Sequence, residues 1–159
     1  MRQMTIRVSA WLASCEKAVC IISLIVMLGA VSYSVIVRNL GLFFPDATEL
    51  ALAAMVPLTF VGCSLLVHLG EHIVIDLHLL IKDKQIIKLL RKIATICTLF
   101  FGIVYVYYSS ILLRAMWDSQ ERWLNLGTLI YMPAIFYFLG MIGVVVHSLA
   151  LLVKQPDPV

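Results

Sequence analysis

The sequence predicts an all-α integral membrane protein with four transmembrane helices, and three observations carry that reading. Hydrophobic residues make up 62% of the chain and charged residues only 13%, whereas globular domains run roughly 45–50% apolar and about 25% charged. Four apolar segments stand out, at residues 18–37, 50–67, 93–113 and 128–153, each long enough for a helix that needs about 17–25 such residues to cross a bilayer. The longest stretch between them, residues 68–92, is too short for a soluble domain, which needs about 50 residues or more. The chain is therefore expected to be one membrane domain spanning residues 1–159. Any chemistry belongs in the membrane, in short loops, or on another chain.

The formal charge of +3 follows topology and is no sign of nucleic-acid binding. With four spans, the N-terminus, the middle loop and the C-terminus share one side. That side holds nine basic residues: Arg2, Arg7, Lys17, Lys82, Lys84, Lys88, Arg91, Lys92 and Lys154. The other side holds Arg38, Arg114 and Arg122. Short loops rich in Lys and Arg stay in the cytoplasm, so both termini are expected there.

Residues 1–17 are basic with scattered apolar positions (Met4, Ile6, Val8, Trp11, Leu12). They read either as an amphipathic lead-in on the inner leaflet or as a solvated tail anchored by Trp11. The first apolar run exceeds the roughly 7–15 residues of a cleaved signal peptide and is expected to stay in the membrane. Between Lys17 and Arg38 it has no ionisable residue, and Ser23, Ser32 and Ser34 are expected to bond back to the preceding turn. Arg38 then marks the outer boundary, before a helix stop at Asn39-Leu40-Gly41.

The outer loop brings Phe43 and Phe44 to the interface. Asp46 is placed to cap the second helix, with Glu49 three residues later in capping-box position; pairing of Glu49 with Arg38 across the loop is the alternative. Along the second span Ala47, Ala51, Ala54 and Gly62 lie roughly on one stripe, the kind of small-residue face on which helices associate in lipid. Pro57 removes one backbone bond and is expected to bend this helix. Gly70 ends it, and Glu71-His72-Ile73-Val74-Ile75-Asp76 follows at once. His72 and Asp76, four apart, share a face if helical, and Ile73, Leu77, Leu80 and Ile81 fall on another. The pattern predicts a short interfacial helix over about residues 72–81.

The third segment carries Tyr105, Tyr107 and Tyr108 in its outer half, and Trp117 and Trp123 flank Asp118, Glu121 and Arg122 in the second outer loop. Such aromatics anchor a protein at the interface; a docking surface for a soluble partner is the sharper reading of the charged trio. The fourth segment begins near Pro133 and contains one ionisable group, His147, which reads as an isolated side chain snorkelling or bonding nearby backbone. Cys15, Cys20, Cys63 and Cys97 form no CxxC pair and read as packing residues.

The four segments contain no Asp, Glu, Lys or Arg. Ion and substrate paths through membranes are marked by such groups, and no broken-helix pair of the transporter kind is visible. No nucleophile–base pair, phosphate loop or metal cluster appears. The bare spans suggest a subunit of something larger. One redox alternative uses His68, His72, His78 and His147 as axial ligands in a haem-bearing membrane anchor, and another is a small self-assembling exporter.

Arg38, a loop ending in Glu49, Phe60-Val61-Gly62 and the run Gly70-Glu71-His72-Ile73-Val74-Ile75-Asp76 together resemble the small membrane subunit (DctQ-like, Q component) of tripartite ATP-independent periplasmic transporters. His68 stands where that family commonly has a basic residue. The resemblance implies a bacterial inner-membrane subunit that is not an enzyme and holds no cofactor. Its implied partners are membrane lipid, a large membrane subunit (the M component) carrying the sodium and substrate sites, and a periplasmic binding protein. The implied cargo is an organic acid such as a C4-dicarboxylate, sialic acid or another sugar acid. Arg38, Glu49, Gly62, Gly70, His72 and Asp76 are then the structural and assembly residues, and Asp118, Glu121 and Arg122 the periplasmic docking residues.

Overall fold

A computed structural model describes residues 2–41, 45, 47–70, 84–124 and 127–153. Among them are four helices: α1 (Arg2–Asn39), α2 (Thr48–Leu69), α3 (Lys84–Ser119) and α4 (Tyr131–Val153). All four are long and apolar enough to cross a membrane, and no strand occurs among the described residues. The expected interfacial helix over 72–81, with His72 and Asp76, lies outside the described residues.

The helices outrun the apolar segments unequally. α1 has 38 residues and α3 has 36, so at about 1.5 Å per residue they reach about 57 Å and 54 Å, nearly twice a hydrocarbon core of about 30 Å. The N-terminal arm is thus neither a separate surface helix nor a tail. It forms the first four turns of α1, and the span on α1 runs from Arg7 to Asn39. The reason lies in its buried face: Ser9, Ala13, Glu16, Ser23, Ala30, Ser34 and Val37 are all buried. They recur at spacings of three, four or seven residues, which keeps one seam of a helix against its neighbours.

α2 packs on both α1 and α4, α3 packs chiefly on α4, and α1 touches α4 over a smaller patch. The order across the bundle is α1–α2–α4–α3. Val67, Met141 and Val144 form the apolar core, with Phe60, Cys63, Val106, Tyr137 and Leu151 against it. The Phe60 and Tyr137 rings meet at 4.2 Å between centroids. Large apolar side chains such as Ile22, Ile25, Leu28, Phe100 and Tyr107 cover the outside, as lipid requires of a protein that hides polar groups inside.

Glycine sets two of the contacts. A Cβ on Gly140 would lie 2.6 Å from the backbone carbon and oxygen of Phe60, so the backbones of α2 and α4 touch there. A Cβ on Gly102 would meet Val145 at 3.0 Å and Val144 at 3.1 Å, which seats α3 on α4. Gly62, by contrast, has only the Cys20 sulfur at 3.7 Å, an ordinary contact. The stripe foreseen on α2 buries Ala51 and Ala54, while Ala47 and Gly62 are half-buried. The closest approach belongs to glycines of α4.

Helix ends differ from expectation in one place. The N-cap of α2 is Ala47, with no side-chain cap, one residue later than expected; Asp46 lies outside the described residues. The Ala47 N–H donates instead to Ser34 Oγ at 3.2 Å, so a serine expected to bond within its own helix ties α1 to the start of α2. Gly70 closes α2 in the left-handed conformation (φ 74°), its N–H shared between the Leu66 and Val67 carbonyls.

Candidate functional site

At the end where α1 begins and α2 and α4 finish, five polar side chains from three helices meet inside the bundle. They are Ser9 and Glu16 of α1, Ser64 and His68 of α2, and His147 of α4. Two turns of α1 separate Ser9 from Glu16, and one turn of α2 separates Ser64 from His68, so each pair lies on one face of its helix. Ser64 and His147 are 0% exposed, Ser9 3% and Glu16 5%; His68, next to the last residue of α2, is half-buried.

The Glu16 carboxylate is at the centre. Its Oε1 accepts from Ser64 Oγ at 2.6 Å, and its Oε2 lies 3.0 Å from His147 Nε2. The other nitrogen of that imidazole, Nδ1, is 2.8 Å from Ser9 Oγ. Ser9 Oγ is in turn 2.9 Å from His68 Nδ1. The two imidazoles touch edge to face, with Nδ1 atoms 3.3 Å apart and centroids at 4.8 Å. An isolated carboxylate withdrawn from water carries a desolvation cost of several kcal/mol; two short, charge-assisted bonds offset it here.

Room for the carboxylate comes from Gly143. A Cβ there would overlap Ser64 Oγ and come within 2.5 Å of Glu16 Oε1. The helix pair α1–α4 therefore approaches closely enough for the Glu16–His147 bond only because α4 has no side chain at this position.

This cluster overturns one expectation and adds a group that the apolar segments left out. Glu16 lies two residues before the segment 18–37, yet it is buried and bonded to side chains of α2 and α4. His147 is not an isolated snorkelling side chain; it is fully buried and paired with Glu16. The sequence did contain a signal. The small and polar stripe of α1 keeps its spacing back through Ser23, Glu16 and Ser9, past the point where hydropathy alone places the start of the span.

The structure also places the residues singled out from the sequence. Arg38 is exposed in the last turn of α1 and Glu49 half-buried in the first turn of α2, at the opposite end of the bundle from the cluster. Asp118, in the last turn of α3, and Glu121 and Arg122, on the α3–α4 connection, are exposed; backbone bonds from Trp123 N to Thr128 O at 2.9 Å and Ile130 N to Glu121 O at 3.0 Å order that connection. Arg122 Nη1 donates to the Gly127 carbonyl at 3.0 Å, so this arginine braces the connection. Trp117 stacks on Tyr131 across its base at 4.6 Å. The small folded connection explains why α4 begins at Tyr131 and not at Thr128.

No group of three or more His, Cys, Asp or Glu side chains among the described residues is arranged to hold a metal ion. The haem reading gains no support from the histidine positions. His68 and His147 are in ring contact with each other, whereas two axial ligands must stand on opposite faces of a macrocycle. What the cluster can do is bind three helices together through hydrogen bonds and hold or pass a proton.

A family model described as "Tripartite ATP-independent periplasmic transporters, DctQ component" matches residues 27–155. No curated protein and no solved structure matches the chain.

Proposed function

The chain belongs to the DctQ family of tripartite ATP-independent periplasmic transporter components, and on that premise we propose that it is the non-catalytic scaffold subunit of a sodium-coupled organic-acid importer. In this reading the large membrane subunit carries the sodium and substrate sites, and a periplasmic binding protein delivers the acid, a C4-dicarboxylate, sialic acid or another sugar acid. This chain adds fixed helices to the large subunit and helps seat the binding protein.

The observation that carries the reading is the family match, which takes in the latter part of α1 and all of α2, α3 and α4. The nine-to-three division of basic residues supports cytoplasmic termini in a bacterial inner membrane. With that orientation the end of α3 and the α3–α4 connection face the periplasm, and the exposed Asp118, Glu121 and Arg122 there are the docking residues. Arg38 and Glu49 then lie at the periplasmic end, while Gly70, His72 and Asp76 lie at the cytoplasmic edge and serve assembly.

Co-expression tests this. A tagged copy is expected to retain a large multi-span membrane protein through purification, and a chain that comes away alone from every such pairing overturns the reading. Within a working complex, His72→Ala or Asp76→Ala is expected to reduce the amount of assembled transporter. Normal assembly with weakened substrate binding would contradict the role given to that pair.

A further inference from the structure

Gly62 has no helix seated on it, since an added Cβ would meet only the Cys20 sulfur, at 3.7 Å. It lines instead a groove of about 350 Å³ between α1 and α2, bounded by Cys20 of α1 and by Leu58, Leu65 and Leu66 of α2. Thr59 borders it too, but the Thr59 hydroxyl donates to the Met55 carbonyl at 2.8 Å and is satisfied within its own helix. The lining therefore offers an occupant carbon and sulfur. Thr59 and Leu66 are exposed, so the groove opens on the outside of the bundle.

Depth narrows what can fill it. Arg38 is exposed in the last turn of α1, and Lys17 lies about 32 Å back along that helix at about 1.5 Å per residue. A hydrocarbon core is about 30 Å thick. With Arg38 at one headgroup layer, Lys17 stands at the other. Ser64 bonds to Glu16, which puts this part of α2 level with the residue before Lys17. From Leu66 to Leu58 the groove then runs about 12 Å toward the middle of the membrane, nearly the depth of one leaflet.

Charge narrows it further. Lys17 is three residues from Cys20 and so adjacent to it on the surface of α1, both on the same side of the buried Glu16 and Ser23. The Lys17 side chain is exposed, and no acidic side chain among the described residues pairs with it. Glu16 beside it turns into the bundle, to Ser64 and His147. A lysine at the edge of the hydrocarbon extends its ammonium to the headgroups, where it attracts anionic lipid.

We propose that the groove binds one acyl chain of an anionic phospholipid whose headgroup lies on Lys17, with the bare Gly62 leaving room for the chain. In the orientation given above, this lipid belongs to the cytoplasmic leaflet. Neither the groove nor Lys17 draws on assembly with other subunits, so the site stands or falls separately from the transporter reading.

The test is photo-labelling of the full chain in phosphatidylcholine nanodiscs containing a phosphatidylglycerol with a diazirine in its acyl chain, mapped by mass spectrometry. Label is expected to concentrate on Cys20 and residues 58–66, and to be displaced by unlabelled phosphatidylglycerol in preference to phosphatidylcholine. Lys17→Gln is expected to lower that preference about fivefold, the factor for one basic contact with an anionic lipid. Gly62→Leu is expected to remove the groove label while helical circular dichroism stays unchanged. Label spread evenly over the outward faces of the four helices overturns the proposal, as does equal displacement by phosphatidylcholine. In a complex purified with the large subunit, persistence of the label upholds the lipid site; its loss gives the groove to a helix of that subunit and overturns it. The wild-type pattern decides even if Gly62→Leu fails to fold.

Discussion

Gly140→Ala is the most informative single change to the packing, because it adds one methyl group where two backbones meet. Inside a helix, replacing Gly by Ala ordinarily stabilises by roughly 0.5–1 kcal/mol. At position 140 the new Cβ would lie 2.6 Å from the carbonyl carbon and oxygen of Phe60 and 3.0 Å from the Val61 nitrogen. These are backbone atoms that no rotamer change can move aside. Relief requires α2 and α4 to part by something near 1 Å, and a gap of about 0.5–1 Å forfeits a quarter to a half of the dispersion energy at each contact. Overpacking of this kind costs about 1–3 kcal/mol, and the rigid obstacle puts this site at the upper end. The net expectation is destabilisation by about 2 kcal/mol. Gly29→Ala is the control, since nothing lies within 4 Å of its added Cβ; it should be neutral or slightly stabilising. Reversible unfolding in mixed detergent, followed by helical circular dichroism, measures both. If Gly140→Ala is as stable as the wild type while Gly29→Ala is also unchanged, the backbone contact between α2 and α4 is not what sets their spacing.

Three further outcomes follow from the same geometry. Ser64→Ala removes the 2.6 Å donor to Glu16, and a hydrogen bond to a charged group contributes about 1.5–3 kcal/mol, so the unfolding midpoint should fall correspondingly; an unchanged midpoint would mean the carboxylate finds another partner. Gly70→Ala forces a side chain into the left-handed cap at φ 74°, a cost of about 1 kcal/mol, and faster amide exchange at the end of α2 is the expected signature. Reversing the charges of Asp118 and Glu121, both exposed, should leave stability within about 0.5 kcal/mol while weakening association with the binding protein, read by surface plasmon resonance on the assembled transporter.

Much of the fold was legible because lipid imposes simple demands. A run of about twenty apolar residues is sufficient to specify a membrane-length helix, so four segments became four helices whatever their neighbours. Gly70 could be read as the end of α2 because a left-handed residue favours glycine for local reasons. The α2 stripe of Ala51 and Ala54 was visible through helical spacing alone. Ranking the close contacts was not possible from spacing: Gly62 was one of four small residues on the α2 stripe, and the closest approaches are at Gly140 and Gly143 of α4.

The site was hidden for a different reason. Hydropathy measures what a segment offers to lipid, and Glu16 is never offered to lipid; it is enclosed by α2 and α4. Its partners lie 48 and 131 residues away in sequence, and no local pattern connects such distances. By itself the sequence determined the class, the number of spans and the family, because those depend on composition and on residues read one segment at a time. Only the tertiary structure decided that α1 continues inward past Lys17, that His147 has a carboxylate partner, and that Gly143 leaves the space in which they meet. Those outcomes depend on which helix faces are brought together, and burial of a charge is tolerated only where a second and third helix supply the hydrogen bonds.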